Sequence, residues 1–128
     1  MSSEATHLFH FCNINSFFSK REQVKTCLNT PPFSSLLALC EVKVSAEDKR
    51  SIKVRGYDPI LFPGTRSSSG ILVYVRHSLP HQVVQELALT VGESMIVFVD
   101  VALSASVCVR CAVAYIHPNA GAEVVRVL

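Results

Sequence analysis

Leu36-Leu37-Ala38-Leu39-Cys40-Glu41-Val42-Lys43 decides how the rest of the chain is read. Leu36 to Cys40 is an unbroken apolar run with breaks on either side. A strand with one wet face alternates polar and apolar residues. So short an unbroken run therefore predicts a strand buried on both faces. Glu41 closes it. A carboxylate at the end of an apolar strand is costly unless it is paired, coordinated or at the sheet's edge. In open α/β sheets, sites form at the carboxyl ends of strands.

Upstream, His7-Leu8-Phe9-His10-Phe11-Cys12 reads as a second buried strand. Asn13-Ile14-Asn15-Ser16 follows with turn and capping chemistry. From Phe17 to Leu28 the period is helical, with Phe17, Val24, Cys27 and Leu28 on one face. Asn29-Thr30-Pro31-Pro32 stops that helix. Strand, helix, strand implies parallel pairing, which puts Asn13 and Glu41 at one end of the sheet. Tyr115 and Asn119 close the last strand in the same way. Polar groups gathered at one rim suit a divalent metal and a phosphate. The plainer alternative pairs Glu41 with Lys43 and leaves Asn13 as a helix cap. The pattern alone does not choose between them.

Downstream, Ser45 to Gly56 is polar, a loop with a short helical turn. Strands are expected at Tyr57–Phe62, Ile71–Val75, Gln82–Leu87, Ser94–Val101 and Val107–Tyr115, with Ser67–Gly70 a loop. Asn119 is placed to cap a final helix. Short connections in this half imply antiparallel pairing. The class is α/β (α+β): a mixed sheet with one covering helix. No second helix is expected to cover the other face, which must then meet something this chain does not contain.

The length, 128 residues, fits one domain. Hydrophobic residues at 49% against 17% charged exclude a disordered, charged tail. No apolar run is long enough to span a membrane. Met1-Ser2-Ser3-Glu4 has no basic segment leading into an apolar one, so no secretory signal is expected. The net charge of +2 hides an asymmetry. Residues 43–81 carry a balance of +4, with Lys43, Arg66 and Arg76 among the cations, while residues 82–128 carry −2. Such a basic middle suits a polyanion, or simply solvated loops. Five scattered cysteines read as buried thiols of an intracellular protein.

Other chemistries find little support. Cys108-Val109-Arg110-Cys111 has zinc-knuckle spacing, but residues three apart on a strand point to opposite faces. His7 and His10 fail on the same geometry. His77 and His81 flank Pro80 and read as surface histidines. Cys40 beside Glu41 is a candidate nucleophile, although its apolar run predicts burial. The glycines form no phosphate-binding motif.

The rim residues also carry a family resemblance. Phe11-Cys12-Asn13-Ile14-Asn15-Ser16 resembles the N-terminal motif of the endonuclease/exonuclease/phosphatase (DNase-I-like) superfamily, in particular the endonuclease domains of non-LTR (LINE-type) retrotransposons. Leu39-Cys40-Glu41-Val42-Lys43 resembles their leucine-serine-glutamate-threonine-lysine strand end. Gly56-Tyr57, Arg66 and Gly70-Ile71-Leu72-Val73-Tyr74-Val75-Arg76 resemble the basic, glycine-rich strand that follows. Ala114-Tyr115-Ile116-His117-Pro118-Asn119 resembles the tyrosine-arginine-proline-proline block. The order and spacings agree across nearly the whole chain.

The resemblance implies the N-terminal half of a four-layer α/β/β/α sandwich and Mg²⁺- or Mn²⁺-dependent phosphodiester cleavage of DNA, in the nucleus. It implies Glu41 as metal ligand, with Asn13 near metal and scissile phosphate. Tyr115 would contact that phosphate and Asn119 would line the groove. Arg66, Arg76 and Lys43 would meet the DNA backbone. Departures are Ser68-Ser69 for two glycines, His117 for an arginine and Cys40 for a serine or glutamine. The family's later glycine-aspartate-phenylalanine-asparagine and serine-aspartate-histidine motifs have no counterpart among these residues. Without them there is one metal ligand and no general base, so the expectation is a fragment inactive alone. The alternative is a non-catalytic half-domain that pairs with itself, with the missing half or with another partner through an exposed sheet face.

Overall fold

The computed structural model describes residues 6–64 and 70–117. The fold is mixed α+β, mostly strands in two sheets. Strand β1 (Phe9–Asn13) leads through a 3₁₀ turn (Phe18–Lys20) into helix α1 (Arg21–Leu28). Strand β2 is Leu36–Cys40, followed by a 3₁₀ segment (Ala46–Ile52), β3 (Tyr57–Pro63) and β4 (Gly70–Arg76). The order in the first sheet is β1-β2-β4-β3. β1 runs parallel to β2, and the remaining pairs are antiparallel. The second sheet holds β5 (His81–Val83), β6 (Leu89–Val91), β7 (Ser94–Ala102) and β8 (Cys108–Tyr115). β5 and β6 pair with one side of β7 and β8 with the other.

The unbroken run behaves as its composition requires. All of β2 is buried. Leu37 and Leu39, with Leu72 and Tyr74 of β4, pack on Phe17, Val24 and Leu28 from the helix side. Leu36, Ala38 and Cys40, with Ile71, Val73 and Val75, pack on Met95, Val97, Val99 and Val101 of β7. Each fully buried aliphatic chain contributes about 1.5–3 kcal/mol. Both faces of the first sheet are thus covered, one by the helical layer and one by the second sheet.

That corrects the expectation of a single mixed sheet with a bare face. The later strands stack on the first sheet, because the inward residues of β7 alternate as a two-layer core needs. The outward residues of β7 and β8, among them Ile96, Phe98, Ala112 and Ala114, have no helix over them among the described residues.

Other expectations also shift. The apolar run predicts a buried β1, but all its residues are exposed, Phe9 at 38% and Phe11 at 57%. Among the described residues it is an edge strand, with a neighbour on one side only. The helix buries Val24 and Leu28 but leaves Cys27, at the margin of that stripe, exposed. Cys12 and Cys108 are exposed as well, so buried thiols are not the rule. The strand expected over Gln82–Leu87 is β5 followed by a 3₁₀ turn, and β6 has no clear sequence signal. The Ser67–Gly70 loop, save Gly70, and the helix capped by Asn119 lie outside the described residues.

Candidate functional site

The carboxyl ends of the parallel strands β1 and β2 meet the end of β8. Asn13 pairs in register with Cys40 and therefore faces the second sheet. Tyr115 is an inward residue of β8. Strict alternation would turn Glu41 the other way, alongside Leu37 and Leu39. It does not follow that alternation, because Glu41 is left-handed, with φ of 53°. The carboxylate instead reaches the inter-sheet rim. Its Oε1 accepts a hydrogen bond from Asn13 Nδ2 at 3.1 Å and another from the Tyr115 hydroxyl at 2.8 Å. Oε2 takes part in neither bond.

The backbone around this point is strained. Asn15, Ser16, Glu41 and Lys43 are the described non-glycine residues with positive φ, and all four lie in the two loops at this rim. Each such residue costs on the order of 1–3 kcal/mol, and such strain clusters at functional sites. Backbone bonds hold the loops together: Ser16 N–H donates to Glu41 O at 2.8 Å, and Phe17 N–H to Val42 O at 3.0 Å. Lys20 Nζ reaches back to Ile14 O at 2.7 Å. Asn13 is therefore a partner of Glu41 and not a helix cap.

Electrostatics follow from these contacts. The Tyr115 hydroxyl, then Asn13, hold the Glu41 carboxyl below its ordinary range, with Lys43 and His117 adding through space. No Lys43–Glu41 ion pair forms among the described residues. Burial first, then the Glu41 bond, pushes the Tyr115 hydroxyl up to about 12, so it stays a proton donor at neutral pH. Cys40 is buried and its thiol is pushed up to about 11 by burial and by Glu41. A thiol held protonated and out of solvent is a poor nucleophile, which sets aside the cysteine reading.

The rim gains Glu93, which sequence reasoning did not place there, as the partner of His117 from the tyrosine block. The His117 ring stands edge-on to Tyr115 at 6.4 Å, its Nε2 is 3.3 Å from Glu93 Oε2, and its backbone N–H donates to Ser94 Oγ. The β7–β8 register, Met95 opposite Tyr115, puts position 93 opposite 117. Hairpin pairing is the signal that would have found it.

The remaining candidates are placed elsewhere. Arg76 lies at the other end of the first sheet, where its Nη2 donates to Phe33 O at 2.6 Å. Arg66 and Asn119 lie outside the described residues. His77 and His81 share Asp58: His77 Nδ1 is 2.8 Å from Oδ1 and His81 Nε2 is 3.4 Å from Oδ2. His81 is partly buried, so it is not the surface histidine expected. Cys108 and Cys111 point to opposite faces, and among the described residues no three His, Cys, Asp or Glu side chains are grouped to hold a metal. No family model and no curated protein matches the chain.

Proposed function

We propose that this chain is the N-terminal half of a metal-dependent phosphodiesterase of the retrotransposon DNA endonuclease type, inactive by itself. The observation that carries the reading is Glu41, re-aimed by a left-handed backbone and held by donors from two other strands and both sheets. A carboxylate fixed at this cost, with Oε2 outside both bonds, suits a cation. Mg²⁺ takes one or two carboxylates and keeps several waters. The residues fit one ligand's share of such a site. Asn13 and Tyr115 orient the carboxylate and would face a phosphate beside it. The imidazole at this rim, His117, is paired with Glu93, and the reading assigns no hydrolytic step to the described residues alone. The fourth layer, helices over the outer face of the second sheet, would come from the C-terminal half of such a domain.

Calorimetric titration with Mg²⁺ tests the reading. Binding in the wild type that is lost in Glu41→Ala supports it, and equal binding in both removes Glu41 from a metal site. Cleavage of duplex DNA by the wild type without added metal would reject the proposal altogether.

A second reading, a non-catalytic half-domain that self-associates, is favoured by one observation. Among the described residues, β1 and β8 have no further strand partner on the same side of the sandwich, around a groove of about 340 Å³. Sedimentation as a monomer across a wide concentration range would dismiss it.

A further inference from the structure

The turn that brings Glu41 to the rim interrupts the β1–β2 ladder. Leu36 N–H donates to Leu8 O at 3.3 Å and Ile14 N–H to Cys40 O at 3.1 Å. Bonds in a parallel ladder are evenly spaced. In this register the next one would join Val42 N–H to Ile14 O. It does not form. Val42 N–H turns instead to Gly70 O on the β4 side, at 3.4 Å. Pairing resumes out of step, with Ser16 N–H on Glu41 O and Phe17 N–H on Val42 O. The left-handed φ of Glu41 is what takes the Val42 N–H away.

Lys20 takes the carbonyl left over. Its Nζ donates to Ile14 O at 2.7 Å and lies 3.4 Å from Asn15 O. Ser19 Oγ donates to Ser16 O at 3.2 Å, so neighbouring side chains serve all three carbonyls of this turn. A part-buried carbonyl without a donor is costly, and an ammonium makes a stronger bond than an amide. The helix does not account for this lysine. Lys20 stands at the N-cap of α1 and makes no side-chain cap bond there. An ammonium has no acceptor to offer the helix's first N–H groups, and a cation at a helix N-terminus opposes the dipole. Among the described residues Lys20 forms no ion pair either.

We propose that Lys20 is a positioning residue of the Glu41 site, a role that rests on the reading of Glu41 as a cation ligand. Two backbone arrangements compete for one acceptor. With Val42 N–H on Ile14 O the ladder runs on and Glu41 is extended. Alternation then turns its carboxylate to the helix side with Leu37 and Leu39, away from Asn13 and Tyr115. With the ammonium on Ile14 O the ladder stops and Glu41 stays left-handed. Its Oε1 then reaches both donors at the rim. Lys20 thus acts through the backbone, favouring the arrangement in which the carboxylate is held where a cation would meet it.

The test is NMR of the full chain as wild type, Lys20→Met and Lys20→Arg, with urea unfolding and calorimetric Mg²⁺ titration of each. A residue with positive φ gives a strong intraresidue HN–Hα Overhauser effect, and the Asn13 side-chain amide reports its bond to Glu41. Lys20→Met should weaken the Glu41 effect and move the Asn13 amide toward its free position. Lys20→Arg keeps a charged donor and should leave both near wild type. Lys20 is exposed and Val42 lies in the helix-side core, so the urea midpoint should change little. Mg²⁺ should bind Lys20→Met about tenfold more weakly, the low end of the loss when a group behind a metal ligand is removed. An unchanged Glu41 effect in Lys20→Met overturns the proposal. So does a loss of that effect spread over the whole first sheet with a lowered urea midpoint, since Lys20 would then be structural. If no protein binds Mg²⁺ while the Glu41 and Asn13 signals still change, the cation reading fails and the hold of Lys20 on the carboxylate stands.

Discussion

Replacing Tyr115 with phenylalanine removes one hydroxyl and keeps the ring. The hydroxyl donates to Glu41 Oε1 at 2.8 Å. A hydrogen bond to a charged group contributes about 1.5–3 kcal/mol. Glu41 is partly exposed, so water competes and about 1 kcal/mol is the expected loss at pH 7. The pH dependence is the sharper measurement. The folded Glu41 carboxyl is held below its ordinary range, mainly by this bond. Its contribution is present above the unfolded value of about 4.3 and is lost as pH falls through the folded value. Tyr115 itself, pushed up to about 12, stays protonated throughout and does not add to the profile. Urea unfolding of wild type and Tyr115→Phe should differ by about 1 kcal/mol at pH 7. At a pH below the folded Glu41 value the difference should fall to about half, the worth of a neutral bond. Carboxyl NMR should show Glu41 titrating higher in the variant. Equal differences at both pH values, or an unmoved Glu41 titration, would refute the claim that the Tyr115 hydroxyl holds Glu41 ionised.

Leu72, fully buried at the centre of the first sheet, is a second probe. Leu72→Ala should cost about 3 kcal/mol in denaturant unfolding, because packing on both sides of the sheet limits collapse of the cavity. Tyr57 ties the end of α1 to the approach to β2, its hydroxyl contacting Leu28 O and Ser34 O at 3.1 and 3.0 Å. Tyr57→Phe should lower stability by about 1 kcal/mol, measured the same way. In thiol titration of the native chain, Cys12, Cys27 and Cys108 should react, while Cys40 should wait for denaturant.

Particular elements show how far the sequence could be read. The doubly buried strand, the parallel start and the long strands over 94–102 and 108–115 follow from local composition, because burial on one or two faces leaves a period in the chain. Glu41, Asn13 and Tyr115 are candidates for the same reason: each closes a strand. The exposure of β1 was not legible, because Phe9 and Phe11 look like core residues and only the missing neighbour leaves them in water. The Asp58–His77–His81 cluster was not legible either, since those residues meet where β3 passes the start of β5.

By itself the sequence determined the long strands, which run is doubly buried and which polar residues end at a rim. Alternation and apolar periodicity are properties of neighbouring residues, so they survive without a structure. Only the tertiary structure decided that the later strands form a second sheet over the first, and that Glu41 faces Tyr115, 74 residues away. A left-handed φ at Glu41 reverses the direction that alternation assigns its side chain. That conformation is held by Ser16 and Phe17, whose backbone N–H groups bond the Glu41 and Val42 carbonyls from the loop at the end of β1.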